Sequence, residues 1–207
     1  MSVTEHVDGR RERGRQTRAS ILATAADVAS VEGLEGLTIG RLAGELGMSK
    51  SGLFAHFGSK EELQLATIAA AREIYVEHVV EPARTEPAGV PRLRALVRAW
   101  RDYMRAKVFA GGCFFTAIRA EFDSRPGGAV RDAIVEQQAE WSALLAHHVR
   151  KAIDAGQLPP DTDPDELAFE IDALISASKV RYQLTEDPKV LDWAAAAIDQ
   201  RLALPAA

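Results

Sequence analysis

The chain has 207 residues, 47% hydrophobic and 27% charged, an ordinary globular composition that excludes collagen-like, disordered and disulfide-scaffold classes. Its net charge of −5 hides an asymmetry. Arg10, Arg11, Arg13, Arg15 and Arg18 face only Glu12 within residues 9–20, so a short basic arm is joined to an acidic body.

Helical periodicity dominates from there on, and strand alternation is nearly absent. Ile21, Leu22, Ala25, Val28 and Ala29 form one stripe of a helix ending near Glu32, with Gly33 as its terminator and Gly33–Gly36 as a connecting loop. Thr38 caps a short second helix whose inner face is Ile39, Leu42, Ala43 and Leu46. Gly47-Met48 breaks it, and Ser49 caps a third helix over residues 50–57. Ser59-Lys60-Glu61-Glu62 is a capping box opening a long fourth helix that should stop near Glu81, because Pro82 and Pro87 cannot continue it.

Longer helices follow. Pro91 opens one with the apolar stripe Leu93, Leu96, Val97, Trp100 and Met104. A Gly111-Gly112 break precedes a shorter one from Cys113 to about Ser124. Pro126-Gly127-Gly128 leads into residues 129–155. Asp163-Pro164 and Asp187-Pro188 start the last two, near 164–184 and 188–203. The expected fold is all-α, with about nine helices.

Two short helices joined by a glycine turn make a helix-turn-helix over residues 38–57. Leu42, Leu46, Met48, Leu53 and Phe57 can share a miniature core. This frees Lys50, Ser51, Phe54 and Ala55 to enter a DNA major groove. A tight turn in a plain bundle is the competing reading. The arginine arm upstream, with His56 and Lys60 at the start of the fourth helix, adds candidate phosphate contacts and favours DNA.

The run Thr38-Ile39-Gly40-Arg41-Leu42-Ala43-Gly44-Glu45-Leu46-Gly47-Met48-Ser49-Lys50-Ser51-Gly52-Leu53-Phe54-Ala55-His56-Phe57-Gly58-Ser59-Lys60-Glu61-Glu62-Leu63 resembles the signature of the tetracycline-repressor (TetR) family. The likeness covers about residues 15–65. It implies a homodimeric, ligand-released transcriptional regulator, usually a repressor, on a palindromic operator. It also implies a helix-turn-helix DNA-binding domain at 1–60 and a helical effector-binding and dimerisation domain at 61–207. DNA contacts are then expected from Arg15, Thr38, Ser49, Lys50, Ser51, Gly52, Phe54, His56 and Lys60. Phe54 stands where the family usually has tyrosine, so one possible phosphate hydrogen bond is lost.

In the body, Trp100, Tyr103, Met104, Phe114, Gln137, Trp141 and His148 are candidates for a small-molecule pocket, because a few polar groups sit among apolar ones. Each has plain core as its competitor. Glu121, Asp123, Asp132, Glu136 and Glu140 are expected to form a solvated face, too dispersed for a metal site. The 164–184 helix is apolar on two sides, with Leu167, Ile171, Leu174 and Ile175 on one and Phe169, Ala173, Ala177 and Val180 on the other. Together with the Ala194–Ala197 run, it is the expected homodimer seam.

The single cysteine, Cys113, excludes an internal disulfide and a cysteine zinc site. Its pairing with His147 or His148 suggests neither a catalytic set nor a cofactor. No apolar run approaches the roughly 18 residues of a membrane span, and the expected compartment is the cytoplasm. The alternative function is a helical ligand-binding or scaffold protein that never touches DNA.

Overall fold

A computed structural model describes residues 3–203, with side chains from residue 14 onward. Arg10, Arg11 and Arg13 of the basic arm therefore have no described side chains. Nine helices and no strands are found among the described residues. In chain order they are α1 (Val3–Gly36), α2 (Ile39–Leu46), α3 (Lys50–Phe57) and α4, which begins as Lys60–Tyr75. They continue as α5 (Val90–Arg105), α6 (Phe114–Phe122), α7 (Ala129–Asp154), α8 (Pro164–Thr185) and α9 (Lys189–Arg201).

The boundaries follow from local chemistry. Gly33 breaks α1 with φ 76°, a left-handed conformation that a side chain resists. Asp163 caps α8 by accepting the N–H groups of Asp165 and Glu166. Asp187 accepts the N–H of Lys189 at 3.0 Å, so α9 starts one residue later than its proline suggests.

Pro82 does not stop α4 at Glu81. The helix passes through a π turn (Val76–Val80) and ends with one more turn, Glu81–Ala83. The wider turn hands the Glu81 N–H back to the Val76 carbonyl, so the donorless proline falls at the start of a fresh turn, where an N–H is dispensable.

One apolar cluster runs from Leu42 and Leu53 at the amino-terminal end through Leu63, Leu96 and Trp100 to Leu202. Within it, α7 packs on α8, α8 on α9, and α1 on both α4 and α6. All five residues of the stripe read on α5 are buried. No helix among the described residues is long and apolar enough to cross a membrane.

Candidate nucleic-acid interface and effector cavity

Every junction of the helix-turn-helix is closed by a hydrogen bond the sequence can supply. The Thr38 hydroxyl accepts the Arg41 N–H at 3.1 Å, and Ser49 accepts the N–H of Gly52 at 3.1 Å. Gly47 adopts φ 62°, letting the Met48 N–H reach the Ala43 carbonyl at 2.9 Å. Gly52 has a second duty, since a Cβ there would stand 3.0 Å from the Ser49 hydroxyl oxygen and crowd the cap. The capping box opening α4 forms by half. Ser59 accepts the Glu62 N–H at 3.0 Å, while its own N–H goes to the Phe57 carbonyl.

Leu42, Leu53 and Phe57 are buried, with Leu46 and Met48 packed against them. The opposite side of α3 presents Lys50, Ser51, Phe54 and Ala55 to solvent. Phe54 is 53% exposed, a large apolar ring on an otherwise polar surface. Thr38 and Ser49 are exposed beside it, and His56 and Gly52 are half-buried. Arg15 is exposed and already has an interaction with a neighbour.

Two of the basic groups read as phosphate contacts are engaged within the protein. Arg18 donates to the His56 carbonyl at 2.5 Å and lies 4.4 Å from the centre of the Phe57 ring, fastening α1 to the end of α3. Lys60 donates to both the backbone carbonyl and the carboxylate of Glu35, at 3.0 and 2.9 Å. That ammonium, together with Arg125, holds the Glu35 carboxyl below its ordinary value. Two of the three Lys60 ammonium donors are thus engaged within the protein, and one is left for a phosphate.

The Leu34–Glu35 step, between the α1 break and α2, is gripped from several sides. Glu121 of α6 accepts the Leu34 N–H at 2.7 Å and the Glu35 N–H at 2.9 Å. Gln64 of α4 donates to the Leu34 carbonyl at 2.6 Å. A second attachment joins the loop before α6 to α1: the N–H of Ala110 goes to Asp27 and that of Gly111 to Ser30. A Cβ on Gly111 would meet the Ser30 carbonyl oxygen at 1.9 Å, so only glycine permits this approach. Glu121 is therefore not part of a solvated acidic face, whereas Glu140 is exposed as expected, in a surface pair with Arg72 at 2.8 Å. Asp123, Asp132 and Glu136 are exposed as expected.

The opposite face of α6 looks into a cavity of ≈ 660 Å³ bounded also by α4, α7 and α8. Tyr75, Phe115 and Trp141 form its aromatic wall, with the Tyr75 ring edge-on to the other two at 5.9 and 5.5 Å. Of the pocket candidates read from sequence, Gln137 and Trp141 line this cavity. Trp100, Tyr103, Met104, Phe114 and His148 do not. They are buried in the core behind it, Tyr103 packing edge-on against Tyr75 at 5.5 Å.

His147, one residue earlier, is on the wall in place of His148. Burial, with His147 and Arg92 nearby, pushes the His148 pKa down to about 4, and its Nδ1 has no hydrogen-bond partner among the described residues. Tyr75, Arg119 and Asp172 went unread because each sits in a helix whose apolar stripe is explained without it. Only their polarity on an inward face could have marked the last two. Cys113 also lines the cavity, and no cluster of potential metal ligands is found among the described residues.

Comparison with known proteins agrees with this architecture. Residues 21–67 match the model for "Bacterial regulatory proteins, tetR family", and residues 89–198 match "Tetracyclin repressor-like, C-terminal domain". A TetR transcriptional regulator from Chloroflexus aurantiacus has the same fold, with TM-score 0.86 and 25% identity over 94% of this chain and 98% of that one. AibR, solved with isovaleryl coenzyme A and operator DNA, superposes with TM-score 0.68 at 23% identity, over 87% of this chain and 97% of its own. The transcriptional activator FasR of Mycolicibacterium smegmatis is 33% identical over 89 residues, 43% of this chain. That match spans 41% of FasR's length.

Proposed function

The chain belongs to the TetR family of bacterial regulatory proteins, and from that membership we propose that it is a transcriptional repressor, a homodimer released from a palindromic operator by a small molecule. The observation that carries this reading is the outer face of α3. A capped helix leaves Lys50 and Ser51 exposed in its amino-terminal half, the part of a recognition helix that reaches base edges, with Phe54 exposed one turn further on. Residues 1–60 act as the reading head and 61–207 as the sensing and dimerising body.

The dimer seam is the exposed side of α8 and α9. Phe169, Val180 and Leu184 lie along one stripe of α8 with Ala173 and Ala177 between them, and Trp193 of α9 stands beside it. A two-fold axis there gives two heads, which must present their helices about 34–36 Å apart, or a multiple, to fit successive turns of one groove.

Release is a shift between two states, driven only by the ligand's affinity difference between them. Of the two helices that could carry the displacement, α6 is favoured over α5. It supplies Phe115, Thr116 and Arg119 to the cavity, whereas α5 supplies no lining residue. Its attachments to α1, at Asp27/Ser30 and Leu34/Glu35, provide the route to the head. The same-family FasR is an activator, so a promoter fusion with and without the regulator fixes the sign.

Selection of duplexes from a random pool by the purified protein tests the reading. A palindromic consensus is expected, with log affinity falling steeply against log salt. Lys50→Ala should cost about 1–3 kcal/mol and alter sequence preference, while His56→Ala weakens all sequences alike. A dimer that enriches nothing at low ionic strength overturns the proposal in favour of a ligand-binding scaffold.

A further inference from the structure

The outer face of α3 changes character along its length. Lys50 and Ser51 in the first turn carry hydrogen-bonding groups, whereas Phe54 and Ala55 in the second carry none. The spacings 50–54 and 51–55 stack these four side chains on one side of the helix. Phe54 is 53% exposed, and its ring has no aromatic or cationic partner among the described residues. The other exposed phenylalanine and tryptophan side chains among them, Phe169 and Trp193, both lie on the proposed dimer seam.

The backbone that carries this ring is held from within the head. The flanking Leu53 and Phe57 are buried, and the Phe54 carbonyl accepts the Gly58 N–H at 2.8 Å where the helix ends. What such a ring can take in a major groove is narrow. It has no hydroxyl to offer a phosphate. Set against the polar edge of guanine, adenine or cytosine, it would strip water from that edge and return no hydrogen bond. Thymine alone presents a C5-methyl group there, and an apolar side chain that covers it removes apolar surface from water.

We infer that Phe54 selects thymine in each operator half-site by packing on its C5-methyl group. This deepens the regulator reading and rests on it. Ala55 adds a small apolar group beside the ring and no competing donor. Four residues of helix span about 6 Å and successive base pairs about 3.4 Å, so the thymine lies within about two base pairs of the base that Lys50 reads.

Selection of duplexes by the full-length protein and by Lys50→Ala locates that base. Thymines near it are then replaced by deoxyuridine at equivalent places in both half-sites, which removes the methyl group and no hydrogen-bonding atom. A buried methyl group is worth a factor of about four, and two are lost, so at one such place affinity should fall at least fivefold. Phe54→Ala should bind the thymine and uracil duplexes equally, whereas Phe54→Leu, which keeps an apolar side chain, should retain part of the difference. Phe54→Ala removes no charge, so its slope of log affinity against log salt should match that of the unaltered protein. The ring is exposed, and both variants should keep the thermal unfolding transition.

A half-site with no thymine in that range overturns the inference, and so does a uracil duplex that binds as well as its thymine parent. A uracil penalty that survives Phe54→Ala also overturns it, because another side chain then reads the methyl group. Equal weakening of both duplexes by Phe54→Ala, with no uracil penalty beforehand, places the ring on sugar instead. Each of these results leaves a palindrome-binding regulator standing. Failure to enrich any duplex removes the regulator reading, and the thymine preference with it.

Discussion

His148 illustrates how far one side chain's position on a helix decides its role. It sits in the core with its neutral form favoured, its pKa lowered from 6.5 to about 4. Between those values the unfolded chain binds a proton that the native state refuses. Its contribution to stability is therefore complete above pH 6.5 and is lost as the pH falls toward 4, by on the order of 3 kcal/mol at most. Thermal melts from pH 7.5 to 4.5 should drop in this window, and His148→Gln should flatten that part of the profile. Sequence periodicity put His148 on the apolar stripe of α7 correctly and then misjudged its duty. Gln137 and His148 are eleven residues apart, within about 20° of each other around α7, so position along the helix decides which of them borders the opening. That position depends on where α4 and α8 lie, which no local pattern encodes.

Helices and their junctions were much more legible than the pocket they enclose. Caps and breakers are chemistry of consecutive residues, so Thr38, Gly47, Ser49, Ser59 and Asp163 announce their turns directly. The π turn in α4 is different, because it depends on how the ladder is rewired five residues apart ahead of Pro82. Equally hidden was Glu121, whose partners are 86 and 87 positions away. The α1–α2 junction is where this long-range contact meets a local demand. At Gly33 a Cβ would need a positive φ and would stand 2.6 Å from the Glu121 carboxylate. Gly33→Ala should therefore cost about 1–3 kcal/mol in urea unfolding. It should also weaken operator binding more than Gly44→Ala in α2, which meets nothing within 4 Å.

At the scale of the molecule, the outside of α8 is the least protein-like surface in the body. Leu184 is 80% exposed and Phe169 72%. If the proposed homodimer forms through this face, Leu184→Glu, with Phe169→Glu as a second variant, should give monomers in sedimentation. Operator affinity should fall by two orders of magnitude or more, while the helical content of each chain is kept. The sequence revealed this face because a helix apolar on two sides exceeds what one core can cover. It could not reveal that α6 and the loop before it are bolted to α1 at two points. Those bolts make the Leu34 and Glu35 amide protons a built-in gauge. Their solvent exchange is limited by how firmly a carboxylate on α6 holds them, so filling a chamber on the far side of that helix should change their deuterium uptake even with no DNA in the tube. An occupied chamber with unaltered uptake at these two amides would mean that the message to the reading heads travels by another path.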